Sequence, residues 1–131
     1  PRYLALLNYV ERSPQTEKAL VAVRGVIRRQ SGLTTLRGYG PRFLHSIGQL
    51  YKGGPPTGVF IVLVREHYDD LPIPGRYFSF GDLIRAQAIG DTQALISRKL
   101  PVLVLGMSGN PAVAMRQLEQ SLKKALSKRK E

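Results

Sequence analysis

Three short runs dominate the reading of this chain. YLALLNYV (3–10), GVFIVLV (58–64) and PVLVLGM (101–107) are almost wholly apolar and do not alternate. A strand covered by helices on both faces has this character, because neither of its faces meets water. Helical patterns separate the runs. Ser13 then Pro14 supplies a hydroxyl N-cap and a proline at the first helical position. Ala19, Leu20, Val23, Val26 and Ile27 then follow one helix face, and Gly32 falls where a left-handed C-cap is expected. Ser79 and Asp82 stand at capping-box spacing ahead of DLIRAQAIGDTQALISRK. Asn110-Pro111 opens a last helix with the stripe Met115, Leu118, Leu122 and Leu126. LTTLR (33–37) is a fourth, β-prone run. The GYGP that follows turns into a helix of about ten residues by periodicity, ending at Gly53-Gly54. The predicted order is therefore β-α-β-α-β-α-β-α, an α/β fold with a doubly wound parallel sheet of about four strands and helices on both faces.

At 131 residues the chain is one domain's worth, long enough to bury a single core. Twenty Lys and Arg against nine Asp and Glu give a formal charge of +11, a field that attracts polyanions and phosphorylated small molecules alike. Arg24, Arg28 and Arg29 lie on the first helix, while Lys123, Lys124, Lys128, Arg129 and Lys130 crowd the last. A solvated basic surface accounts for them, and so would a nucleic-acid face, of which charge is the first criterion and the only one met. The absence of cysteine excludes disulfides and thiolate metal sites. No run is long enough to span a membrane. There is no metal-ligand spacing, no G-x-G-x-x-G, no Walker A and no G-x-S-x-G, so neither metal nor cofactor is expected. The chain opens at Pro1 without the charged-then-apolar order of a secretory leader. The expectation is an excised or processed piece of a cytoplasmic protein.

In an open α/β sheet, ligands sit outside the carboxyl ends of the strands. The turn after LTTLR is such an end. Gly38 and Gly40 let backbone approach a ligand, Pro41 starts a helix whose N–H groups face an anion, and Arg42 stands beside it. A purely structural turn has the same composition. His45, Gln49 and Lys52 recur at four and seven residues, so they share one side of that helix. An imidazole can move a proton between sugar oxygens and a lysine can hold a phosphate or enediolate oxygen. A capped histidine with a snorkelling lysine is the bland equivalent. Glu11 closes the first strand, where a carboxylate could act as general base or merely stand near Lys18.

One family matches these stretches. TTLRGYGPRFLHSIGQLYKGGPPTGVFIVL (34–63) resembles the central motif of the phosphoglucose isomerase part of fused transaldolase/phosphoglucose isomerase proteins. YLALLNYVE (3–11) and DLPIPGRYFSFGDLIRAQAIGDTQAL (70–95) resemble the flanking stretches of the same family, so the similarity covers most of residues 3 to 105. The resemblance implies that residues 1–122 are the C-terminal sugar-isomerase (SIS) domain, flavodoxin-like and without the first such domain. Residues 123–131 are then the basic end of the last helix or a tail. It also implies cofactor-free interconversion of glucose 6-phosphate and fructose 6-phosphate, by ring opening and proton transfer through a cis-enediol. His45 matches the family histidine that assists ring opening. Glu11 lies near the position of the family's base, though its flanking residues are not diagnostic. Gly40, Arg42, Gln49 and Lys52 are the expected substrate contacts by their places in the turn and on the helix, and Lys52 does not match the family's lysine. Implied partners are an N-terminal sugar-isomerase domain, a transaldolase domain and a homodimer mate, with no membrane and no nucleic acid. Departures count as well. The Ser/Thr-rich phosphate loop is missing, the G-V-E-L-G-K lysine motif is missing, and Ile47 replaces the usual threonine. A lone copy of the chain is therefore expected to be inactive. A non-catalytic sugar-phosphate-binding regulator is the alternative, and a basic nucleic-acid-binding domain a further one.

Overall fold

The computed structural model describes residues 1–41, 46–68 and 70–128. Eight elements follow in strict alternation: β1 (Tyr3–Tyr9), α1 (Pro14–Ser31), β2 (Thr34–Tyr39), α2 (Ser46–Gly53), β3 (Gly58–Arg65), α3 (Phe80–Ser97), β4 (Val102–Met107) and α4 (Pro111–Ser127). All strand pairings are parallel and the sheet order is β2-β1-β3-β4. The fold is thus the doubly wound α/β architecture expected, in the flavodoxin-like order.

Local chemistry sets the helix ends. The Ser13 hydroxyl accepts from the Thr16 N–H, and Gly32 adopts φ 73° at the C-cap of α1. At α3 the capping box is complete: Ser79 Oγ accepts from the Asp82 N–H while Asp82 accepts from the Ser79 N–H. Asn110 caps α4. One boundary differs from expectation. β2 runs through Gly38 to Tyr39, so Gly38 belongs to the strand and the turn begins at Gly40. Pairing with β1 explains this, since Gly38 lies opposite Leu7 and Tyr39 opposite Asn8. Sheet pairing overrode glycine's weak strand preference.

Alternate residues of the central strand feed two cores. Leu4, Leu6 and Val10 pack with Leu20, Val23 and Ile27 of α1 and Met115 of α4. Ala5, Leu7 and Tyr9 pack on the other face with Tyr51 of α2 and Ala88 and Leu95 of α3. Tyr51 stacks on Tyr3, with ring centroids 6.1 Å apart, and meets Phe60 edge-on at 5.4 Å. That cluster fixes α2 over the amino ends of β1 and β3. No helix among the described residues is long and apolar enough to cross a membrane.

Candidate functional site

From β1 the chain winds to β2 on one side, and from β3 to β4 on the other. The reversal falls between the carboxyl ends of β1 and β3, where such folds open a crevice. A cleft of about 280 Å³ lies there, bounded by Glu11 and Arg12 beyond β1, Gly40 and Pro41 beyond β2, Tyr68 beyond β3, and Gly81 at the start of α3.

Cross-links between strand ends shape its wall. Arg65 Nη1 donates to Glu11 Oε1 in a close ion pair. Tyr68 donates its hydroxyl proton to the Tyr9 carbonyl at 2.8 Å. Glu11 keeps about half its side chain in solvent (53%) while the Arg65 side chain is largely covered (14%). The carboxylate is therefore held by a buried partner yet open to a ligand. Arg12 lies over the Tyr39 ring, 5.9 Å from its centroid, a cation–π contact that keeps the guanidinium beside the cleft. Burial pushes the Tyr68 hydroxyl above its ordinary pKa, so it titrates above neutrality and serves as a neutral donor.

Behind this wall lies a second network. Tyr9 donates to Asp91 Oδ2, and Lys52 Nζ meets Asp91 Oδ1 at 2.5 Å. Burial, reinforced by the Asp91 carboxylate, raises the Tyr9 pKa far above its ordinary value. The triad joins β1, α2 and α3 through three side chains. A third network sits at the outer edge, where Arg37 donates to both oxygens of Glu17 at 2.9 and 2.8 Å. Burial and the neighbouring Glu17 carboxylate push the Tyr39 hydroxyl up to about 12.

The start of α3 already carries an anion. Ser79 Oγ donates to Asp70 Oδ2 at 2.7 Å and the Gly81 N–H to Asp70 Oδ1 at 2.9 Å. These bonds, the Ser79 one first, hold Asp70 below the ordinary carboxyl range. A phosphate has no open N–H row to meet there.

The expected site residues divide accordingly. Glu11 and Gly40 line the same cleft. Glu11 pairs with Arg65, not with Lys18. Lys52 lies away from the cleft lining, tied to Asp91. Gln49 is exposed on α2. His45 and Arg42 lie outside the described residues. Pro41 sits in a turn, after a cis Gly40–Pro41 peptide. Tyr9, Arg12, Tyr68 and Asp91 escaped notice in the sequence because nothing local marks them. Only strand parity and the fold bring them together. Among the described residues, no group of three or more His, Asp and Glu is placed to hold a metal.

No family model matches this sequence, and no curated protein matches it. A solved structure does: that of a hypothetical protein from Thermus thermophilus, with a TM-score of 0.77 at 19% identity over 95% of this chain. The match takes in 35% of that protein, so the chain spans about a third of its length. At this identity the likeness establishes the fold.

Proposed function

We propose that this chain is the second sugar-isomerase lobe of an enzyme that interconverts glucose 6-phosphate and fructose 6-phosphate. The observation that carries the reading is the shared cleft of Glu11 and Gly40-Pro41. The carboxylate at the end of one strand stands beside the beginning of the long motif that resembles phosphoglucose isomerases. In this reading the Glu11 carboxylate takes the proton from C2 of the open-chain sugar and returns it to C1 through a cis-enediol. Arg65 orients that carboxylate through the ion pair. His45, by its place in the motif, delivers the proton to the ring oxygen as the ring opens. Arg12 receives negative charge on the substrate.

The lobe has no Ser/Thr-rich phosphate loop, and the start of α3 is filled by Asp70. The phosphate must then be gripped by a preceding lobe, and the chain alone is expected to be inactive. The test is a coupled isomerase assay on the longer polypeptide that carries this chain behind such a lobe. Activity that falls about 10²- to 10⁴-fold in His45→Ala is expected for loss of a positioned proton donor. An inactive polypeptide, or an unchanged rate in the variant, would overturn the reading.

A further inference from the structure

α1 and α4 pack on the same face of the sheet, in the core that joins Leu20, Val23 and Ile27 to Met115. Both run back from the carboxyl ends of the strands before them, so their last turns lie at the amino end of the sheet, away from the Glu11 cleft. Two grooves flank the second half of α1. One, toward the β2 edge, is lined by Val21, Arg24, Gly25, Arg28 and Thr35. The other, of about 370 Å³, runs between the two helices and is lined by Arg29, Gln30, Lys123, Lys124 and Ser127 over the buried Val26. Arg29 joins them. A Cβ at Gly25 would fall 2.9 Å from Arg29 Nη1, so the guanidinium lies across α1 where the helix has no side chain.

The charge of this strip is one-sided. Neither groove is lined by a carboxylate among the described residues. Glu119 on α4 pairs with Lys123 at 3.2 Å. Arg24 donates to the Thr35 hydroxyl at 3.0 Å and to the Thr35 carbonyl at 3.2 Å, which leaves further guanidinium donors to solvent. Arg28, Arg29, Lys124 and Lys128 are exposed and form no ion pair with another described residue. Helix dipoles favour cations in a last turn. They act on each helix separately, however, and do not turn the cations of two helices toward one groove. A run of phosphates neutralises such a strip as a whole.

We propose that this strip docks duplex nucleic acid, held by its phosphate backbone without reading sequence. Guanidinium forks and ammoniums are the donors that phosphate oxygens accept. No aromatic side chain lines either groove among the described residues, so the bases of a single strand find no stacking platform. The apolar faces of α1 and α4 are buried in the core, so neither helix has one to lay into a membrane. The proposal stands apart from the isomerase reading and adds a partner that the family resemblance does not imply.

Net charge by itself attracts any polyanion, so the test separates the strip from the total. Fluorescence anisotropy of a labelled duplex DNA of about 16 base pairs is read with the chain from about 50 to about 200 mM salt. Phosphate contacts from Arg24, Arg28, Arg29, Lys124 and Lys128 predict a fall of log K with log salt at a slope of about −4.5. Arg28→Gln with Lys124→Gln is expected to weaken binding about tenfold or more and to reduce the slope by about two. Arg76→Gln with Lys99→Gln removes the same charge from exposed positions that line neither groove, and is expected to leave the slope unchanged. A single strand of the same length is expected to bind more weakly than the duplex. Equal losses from the two variant pairs, or a single strand bound as tightly as the duplex, would overturn the proposal. So would the absence of duplex binding at the lowest salt, including a chain captured by anionic phospholipid vesicles instead.

Discussion

Gly40 lies flat against the ring of Tyr9: a Cβ at position 40 would fall 2.2 Å from Tyr9 Cε1. Tyr9 is only 2% exposed and is held from below by Asp91, so the ring has little room to move. Gly40 also donates its N–H to the Asn8 carbonyl at 2.8 Å, which pins the turn to β1. Here glycine is required by close approach, whatever the ligand. Gly40→Ala is expected to cost about 1–3 kcal/mol, as overpacking does in rigid surroundings. Urea unfolding reads this as a lower midpoint at unchanged slope. An unaltered midpoint would show that Tyr9 yields freely.

The triad of Tyr9, Asp91 and Lys52 holds α2 and α3 to the central strand. Asp91→Ala removes the acceptor of both a buried hydroxyl and an ammonium. The expected loss is about 1–3 kcal/mol. Lys52→Met is expected to cost less, since Lys52 is partly solvated and its stem can still pack. Equal losses from the two variants would mean that the ion pair, not the tyrosine bond, dominates.

Glu17 responds to pH. Its pKa is lowered from 4.5, first by the nearby Tyr39 hydroxyl, against an opposing effect of burial, with Arg37 and Arg12 lowering it further. A folded-state pKa below the unfolded one means stability that is complete above the unfolded value and is lost as pH falls through the folded value. Glu17→Gln should therefore be less stable than wild type at neutral pH by about 0.5–1 kcal/mol. The difference should close as pH falls below 4.5. Melting curves across that range check the sign, and a gap that widens in acid would contradict it.

Asn8 is fully buried on β1, and neither its amide nitrogen nor its oxygen has a hydrogen-bond partner among the described residues. Register places it between Tyr39 and Leu63, on the α1 and α4 side of the sheet. An apolar replacement removes two unsatisfied groups. Asn8→Val is expected to match or exceed wild-type stability, by up to about 1–2 kcal/mol. A clear loss on calorimetric melting would indicate that the amide holds a bound water.

Much of this architecture was legible from local signals. Ser13-Pro14, Gly32, Ser79 with Asp82, and Asn110-Pro111 mark helix ends through backbone hydrogen bonding within a few residues, so they can be read without the fold. The parallel class followed from non-alternating runs such as GVFIVLV. Strand order was not legible, because it depends on which apolar faces meet across the sheet. The β2 boundary is hidden for the same reason: Gly38 looks like a turn until Leu7 is set opposite it. At the site, Glu11 and Gly40 could be named from their places at strand ends. The Asp91 that anchors both Tyr9 and Lys52 could not, since an aspartate in the middle of a helix carries no mark of its distant partners.

The most direct measurement is solvent deuterium exchange at C2 of the sugar phosphate, catalysed by the longer polypeptide in D₂O, wild type against Glu11→Gln. A carboxylate that carries the proton between C2 and C1 should exchange it with solvent, and its loss should slow label uptake by about 10²- to 10⁴-fold. Label entering at the same rate in both proteins would contradict the assignment of Glu11, and with it the claim that this cleft handles the sugar.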